Sequence, residues 1–202
     1  MIDRTLIERY RTLDTPLIAD ALDELEIPGC LLGIGSILQD TVICGEAFTV
    51  HFVPRGLETP SVGNYFDEVQ PGQIVVIDNA GRTDCAVWGD LTTCLAQNRG
   101  IGGTVIDGAC RDVRAIREQN YPVFSRGICM ISGRRYVQQS VTQVPVSIAG
   151  MRVCPGDLIF GDETGVIAIP KTKIKEVLET AERIQTEESA MLKRLSSWKG
   201  EK

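Results

Sequence analysis

The chain has 202 residues, 43% of them hydrophobic, and a formal net charge of -6 from 21 Lys and Arg against 27 Asp and Glu. That length supports one sizeable core and predicts a single domain over residues 1–202, while the acidic balance would repel a phosphate backbone and argues against a general nucleic-acid binder. The seven cysteines (Cys30, Cys44, Cys85, Cys94, Cys110, Cys129, Cys154) are odd in number and form no C-x-x-C pair, so they read as reduced, mostly buried thiols and not as a disulfide framework or zinc cluster.

The opening MIDRTLIERYRTLD is charged throughout and has no apolar h-region. No run approaches the ~20 apolar residues of a membrane span. The expectation is a cytoplasmic protein with no membrane segment. Leu6 to Tyr10 and Thr15 to Leu25 read as helices, the second capped by Asp14 or Thr15 ahead of an apolar stripe at Leu17, Ile18, Ala21, Leu22 and Leu25, and ended by Pro28-Gly29. Thr41 to Val53 is rich in β-branched and aromatic residues and predicts a long strand with a bulge at Gly45. That strand carries the only histidine, His51; without a second histidine a Ser-His or Cys-His relay has little support.

Pro54-Arg55-Gly56 opens a loop, Ser61 to Val69 predicts a short helix, and PGQIVVIDNAG predicts a buried strand at Ile74 to Ile77 with a glycine exit, the next element starting at Thr83. Asn79-Ala80-Gly81-Arg82 lacks the lysine and hydroxyl of a phosphate loop, and Gly100 to Gly103 precedes a strand where a dinucleotide loop would follow one, so both read as turns. Beyond Asp112 come a helix at Val113 to Gln119, a strand at Pro122 to Phe124 with Arg126 after its exit, and a β-meander of Pro145 to Ile148, Met151 to Val153, Leu158 to Phe160 and Val166 to Ile169. Asp157 and Asp162 sit in glycine-containing turns, where aspartate is favoured for backbone reasons, and read as structural. Ile174 to Trp198 closes the chain as a long amphipathic helix, apolar enough to pack on its own domain and still reach a neighbour.

Chemistry concentrates in Trp88 to Ile116, WGDLTTCLAQNRGIGGTVIDGACRDVRAI. Asp90 follows Gly89 at the head of the amphipathic run Leu91 to Arg99, beside the free backbone N–H groups of a helix N-terminus. Thr104 to Ile106 reads as a short buried strand, and Arg111-Asp112 follow its glycine-flanked exit, where ligands usually sit in an α/β fold. A strand returning beside the helix would bring all three charged residues to one crevice. The alternative is that Asp112 and Asp90 cap their helices and Arg111 pairs with a surface carboxylate.

The spacing Asp-x20-Arg-Asp, on the words WGDL and DGACRD, resembles the signature of the 4-hydroxy-4-methyl-2-oxoglutarate aldolase family, also called RraA-like. TPLIADAL, CGEAFTV, PGQIVVID, PVFSRG and VPVSIAGMRVCPGDLIFGDETGVIAIP fall in the family's order, so the resemblance covers nearly the whole chain. It refines the α/β reading to a layered αββα sandwich of the swivelling β/β/α type, assembled as homotrimers or homohexamers, with the C-terminal helix at about 171–198 reaching a neighbouring subunit. It implies a metal-dependent lyase that cleaves 4-hydroxy-4-methyl-2-oxoglutarate or 4-carboxy-4-hydroxy-2-oxoadipate to pyruvate through a metal-stabilised enolate, and that decarboxylates oxaloacetate.

In that resemblance Asp112 holds Mg²⁺ (or Mn²⁺) directly and Arg111 the 2-oxo acid carboxylate. Asp90 and Glu188, with Glu187 as the second choice, act through metal-bound water, the glutamate coming from the neighbouring subunit. Gly89 and the backbone N–H groups of Leu91 and Thr92 hold substrate. The residue chemistry agrees, since a guanidinium fork matches a carboxylate and Mg²⁺ needs few protein carboxylates. Arg82 and Arg126, in loops after strands, are the candidates for a distal carboxylate. The resemblance also carries a second function class: a non-enzymatic RraA-like regulator that binds and inhibits a ribonuclease, in which the Arg-Asp word has lost its aspartate. This chain keeps both residues. A methyltransferase reading finds no glycine-rich loop with a following acidic residue.

Overall fold

In a computed structural model describing residues 2–56 and 64–197, the chain opens with two helices, α1 (Arg4–Tyr10) and α2 (Thr15–Glu24). Asp14 caps α2, its carboxylate accepting the Leu17 N–H at 3.0 Å. The helix ends before Pro28, the chain leaving through Glu26 in the left-handed region. After a two-residue strand β1 (Gly35–Ser36), the long strand β2 (Ile43–Pro54) begins. There follow β3 (Ile74–Trp88), α3 (Asp90–Asn98), β4 (Gly103–Cys110), α4 (Val113–Glu118) and β5 (Val123–Ile128). Then come β6 (Val137–Thr142), β7 (Val146–Ile148), β8 (Met151–Val153), β9 (Leu158–Gly161), β10 (Val166–Ile169) and α5 (Ile174–Ser197).

The strands lie in the order β1-β5-β4-β3-β2-β9-β10, with β6 also on β2. Strands β2 to β5 run parallel, and β1, β6, β9 and β10 are antiparallel to their neighbours. Strand β2 belongs to two layers, because its first residues pair with β9 and its later ones with β3 and β6. Its side chains record the change: Cys44 packs with α1, α2 and α5, Ile43 and Ala47 face inward between the sheets, and Phe48, Val50 and Phe52 face α3 and α4. Ile159, Val166 and Ala168 of the smaller sheet meet Ile74, Val76, Val105 and Phe124 of the larger. The stack is therefore helix, sheet, sheet, helix, the αββα sandwich expected. Strand β4 is buried at all eight positions, as befits a central parallel strand covered on both faces.

Several elements differ from expectation. Gly45 keeps regular pairing with Ile159, and the register shift in β2 falls between His51 and Phe52. Gly45 is required by proximity, since a Cβ there would lie 2.5 Å from the Gly72 carbonyl oxygen. The strand expected to leave at Ile77 continues to Trp88, pairing with β4 through three register irregularities, with Ala80 and Gly81 at positive φ taking up the excursion. Arg126 lies within β5, not beyond it. The four strands read as a meander split into a separate hairpin, β7 with β8, and a pair, β9 with β10, that extends β2. The helix expected from Ser61 falls partly on residues 57–63, outside the described residues; Asn64–Asp67 forms a 3-10 turn. Trp198 is also outside them. Among the described residues no helix is long and apolar enough to cross a membrane.

Both turn aspartates are structural. Asp157 accepts the N–H groups of Cys154 at 2.7 Å and Lys171 at 3.0 Å. Buried Asp162 ties the turn between β9 and β10 to the start of α2, accepting from Thr15 N at 2.7 Å, Thr15 Oγ1 at 2.6 Å and Thr164 N at 2.8 Å. Asp162→Ala leaves those donors without a partner in a buried place, and it is expected to lower stability by about 2–4 kcal/mol. Urea unfolding followed by circular dichroism measures it as a drop in midpoint at unchanged slope.

Candidate active site at the carboxyl ends of β3, β4 and β5

The parallel strands β3, β4 and β5 deliver their exits to one place. Trp88 pairs with Cys110, and the Arg111 N–H donates to the Trp88 carbonyl at 2.9 Å, so Gly89-Asp90 and Arg111-Asp112 leave side by side. Cys129 N–H donates to the Cys110 carbonyl at 2.9 Å, which holds the β5 exit against them. Trp88 itself is buried, stacks on Tyr121 at 6.0 Å and donates its indole N–H to Thr93 Oγ1 at 2.9 Å, fixing the first turn of α3 to the end of β3. Ends of parallel strands are the usual ligand crevice of α/β sheets.

Asp112 is the unusual residue. Although it stands at the N-cap of α4, its side chain does not cap that helix, and its backbone is left-handed at φ 56, ψ 37. That conformation costs a non-glycine residue on the order of 1 kcal/mol, less for aspartate than for most. It turns the carboxylate away from α4: Oδ2 accepts the Asp90 N–H at 3.2 Å and lies 3.1 Å from Arg111 Nε. Oδ1 has no hydrogen-bond partner among the described residues, and the side chain is 32% exposed. Gly89 makes room for this arrangement, because a Cβ there would lie 2.5 Å from Asp112 Oδ2 and 3.2 Å from Arg111 Cγ.

Asp90 begins α3, and its Oδ1 accepts the Leu91 N–H at 2.7 Å, so one helix N–H expected for substrate is engaged by this side chain. Thr92 braces the turn: its Oγ1 accepts from Gly89 N at 2.9 Å and lies 2.9 Å from the Gly89 carbonyl. Arg111 pairs with Asp112 alone among the described residues, which leaves its terminal nitrogens free of any other carboxylate. The cleft is lined by the end of β3 and the start of α3 from Ala86 to Thr92, by Arg111, and by Ser132, Gly133 and Arg134. The sequence reading missed the last part of this lining, a 3-10 turn at Gly133–Arg135 whose only local cue is Ser132 before Gly133.

Glu188 stands apart. It is exposed on α5, which packs on α1 and α2 in the layer opposite α3 and α4, and among the described residues it touches none of the cleft. Among the described residues it makes no ion pair, whereas Glu187 accepts from Arg183 Nη1 at 2.8 Å. Arg82 and Arg126 do not line the cleft either: Asp84 engages Arg82 through two bonds at 2.9 and 2.8 Å, and buried Asp107 holds Arg126 Nε at 2.6 Å. His51 pairs with buried Asp78 at 3.2 Å, and Asp78 and Asp107 accept Ser147 N–H and Ala149 N–H, fastening the β7–β8 hairpin to the sheet ends. All seven cysteines are free, but only three are buried, and Cys94 is exposed. Burial pushes the Cys110 thiol up and the Cys44 thiol up to about 12, so neither supplies a thiolate.

Among the described residues, no three His, Cys, Asp or Glu side chains are grouped as a metal cage. The cleft offers a different donor set, two aspartates with hard oxygen atoms. That fits Mg²⁺, which keeps waters and takes substrate oxygens, better than it fits a softer ion.

A family model described as "RraA-like: Aldolase/RraA" matches residues 15–168. Protein DlpA of Legionella pneumophila is 42% identical over 191 residues, which are 90% of this chain but 31% of that protein, so the chain spans about a third of that relative's length. A Halalkalibacterium halodurans protein named "Putative 4-hydroxy-4-methyl-2-oxoglutarate aldolase" is 35% identical over 94% of this chain and 88% of its own. The crystal structure of Streptomyces coelicolor RraAS2, described as an unusual member of the RNase ES inhibitor RraA protein family, superposes with a TM-score of 0.84 at 27% identity, covering 94% of this chain and 97% of that one.

Proposed function

Since the chain belongs to the Aldolase/RraA family, and since its cleft gathers Asp90, Arg111 and Asp112, we propose that it is a divalent-metal-dependent carbon–carbon lyase. The substrates are 4-hydroxy-2-oxo acids such as 4-hydroxy-4-methyl-2-oxoglutarate or 4-carboxy-4-hydroxy-2-oxoadipate, the product is pyruvate, and oxaloacetate is decarboxylated as a side reaction. The observation that carries the proposal is the left-handed Asp112, whose carboxylate gives up the cap of α4 to face Asp90 and Arg111. A helix cap would have been worth about 1 kcal/mol. In its place the carboxylate takes the first N–H of α3 and the Arg111 guanidinium through Oδ2, which joins the two strand exits and keeps Oδ1 for a ligand.

Asp112 Oδ1 would hold the cation directly and Asp90 through a bound water; the cation, when bound, would supply Lewis-acid polarisation of the substrate ketone. Arg111 is anchored through Nε and offers its terminal nitrogens as a fork to the carboxylate next to that ketone. Thr92 N–H, at the N-terminus of α3, would donate to the oxygen where negative charge develops, and Leu91 N–H would join it if released by Asp90 Oδ1. Asp90 Oδ2, without a partner among the described residues, would take the 4-hydroxyl proton through a water as the C3–C4 bond breaks.

Glu188 enters this reading from a second copy of the chain. Met191, Leu192 and Leu195 of α5 are exposed, and so are Leu91, Ile128, Met130 and Ile131 near the cleft. Two unpartnered apolar patches support subunit contact between them. The second reading, a ribonuclease-binding regulator, draws on the likeness to RraAS2 and on the same exposed side chains. One panel separates them: pyruvate release from each acid with Mg²⁺ or Mn²⁺, then with chelator. Cleavage that stops in chelator and is inhibited by oxalate in competition with substrate is expected, since oxalate mimics the planar enolate of pyruvate. If no acid is cleaved and a ribonuclease is captured, the regulator reading replaces the lyase.

A further inference from the structure

Both arginines expected to read a distal carboxylate are neutralised within the fold, which leaves that role open. Arg134 meets its requirements. It lines the same cleft as Arg111. Among the described residues its side chain makes no ion pair or hydrogen bond, in contrast to Arg82 with Asp84 and Arg126 with Asp107. Its backbone N–H donates to Ser132 Oγ at 3.5 Å.

The turn that carries Arg134 is fastened at both ends. The Ala86 N–H donates to the Ile131 carbonyl at 2.8 Å, and Ala86 bridges Ser132, so the turn is joined to the strand that leads into Gly89 and Asp90. A Cβ at Gly133 would lie 2.7 Å from the Ala86 carbonyl oxygen, so only glycine permits this approach. Beyond the turn, Arg55 N–H donates to the Tyr136 carbonyl at 2.9 Å. An exposed arginine on a loose loop pays side-chain and loop entropy to bind; one on a pinned turn pays only the first.

Charge points to the ligand. One carboxylate, Asp90, and two guanidinium groups, Arg111 and Arg134, line the cleft, and a second carboxylate, Asp112, pairs with Arg111 Nε beside it. A divalent cation balances the aspartates. The two guanidinium charges then remain for the ligand, which suits a dianion with one carboxylate for each.

We propose that Arg134 determines specificity in this cleft by holding the second carboxylate of a dicarboxylic 2-oxo acid, the first lying on Arg111. The proposal rests on the 2-oxo acid reading of the site. Ser132, which also lines the cleft, would add a hydroxyl for that carboxylate.

The test uses two unreactive probes of the same carbon chain, 2-oxoglutarate and 2-oxopentanoate, which differ in the distal carboxylate. Binding to the full chain is measured by titration calorimetry with Mg²⁺ present. Wild type is expected to prefer 2-oxoglutarate by about tenfold or more, the usual worth of a charge-assisted pair. Arg134→Ala should bring the dianion down to the affinity of the monoanion, leave 2-oxopentanoate unchanged and keep the wild-type Tm. Arg135→Ala, which removes the neighbouring charge outside the cleft lining, should keep the preference.

If wild type binds both probes equally, or Arg134→Ala keeps the preference, or Arg135→Ala abolishes it as fully, Arg134 is not the reader. In each of those cases the bound 2-oxopentanoate leaves the lyase reading standing. If wild type binds neither probe, the 2-oxo acid reading fails and takes this proposal with it.

Discussion

Asp112→Asn is expected to abolish pyruvate release and divalent-cation binding while leaving the fold and its thermal midpoint nearly unchanged. Asparagine is the right replacement because Asp112 sits at φ 56, a left-handed conformation that asparagine tolerates about as well as aspartate and that alanine tolerates poorly. The amide keeps the size and keeps an oxygen for the Asp90 N–H, now 3.2 Å away. It removes the negative charge that a hard cation requires and that balances Arg111 Nε at 3.1 Å. Activity should fall by a factor of 10³ or more, on the scale of losing an electrostatic stabiliser of a developing charge. Two measurements check it independently: pyruvate formation, and Mn²⁺ binding followed by electron paramagnetic resonance. Full turnover in Asp112→Asn, or undiminished wild-type turnover in chelator, would remove the metal mechanism. Loss of activity with intact Mn²⁺ binding would move the cation away from Asp112 and leave that residue a positioning role for Arg111.

The sequence revealed the parts of this site that local patterns determine. Asp90 at a helix start and Arg111-Asp112 after a buried strand follow from the glycine, capping and periodicity signals around them, and a returning parallel strand suffices to bring the two together. What stayed hidden depends on partners far away in the chain. Nothing in DNAGR says that β3 continues, because continuation is decided by Arg82 pairing with Gly108 on β4. Arg126 looked like a free cation until Asp107, nineteen residues earlier, took its Nε. Gly45 looked like a bulge, while its true constraint is the Gly72 carbonyl. Strand β6, VQQSVT, is mostly polar and pairs along the later half of β2, so no alternation announced it. Arg134 was passed over for the same reason: a turn of RR after a glycine carries no periodic signal, and only the bond from Ala86 to Ile131 brings it to the cleft.

Arg111→Ala and Glu188→Ala are each expected to be nearly inactive alone, and to recover activity when unfolded and reassembled together. The motive is placement: within one chain Glu188 lies on α5, in the layer opposite α3 and α4, so any part it has in the cleft must come from another copy. Glu188 is also the unpaired member of its pair, since Arg183 already engages Glu187. Replacing an exposed glutamate on the outer half of a helix costs the single chain little, so a large loss of activity would mark an intermolecular role. In the mixture a site is whole only where a Glu188→Ala chain supplies Arg111 and an Arg111→Ala chain supplies Glu188. Random assembly in a closed cyclic ring makes that about one site in four. Activity near a quarter of wild type, with co-assembly verified by native mass spectrometry, is the expected result. If mixed oligomers form and activity stays at the level of the single mutants, Glu188 does not complete the site across an interface. The same mixture made with Glu187→Ala then decides whether the neighbouring acid does so in its place, after releasing Arg183, or whether the cleft works within one chain.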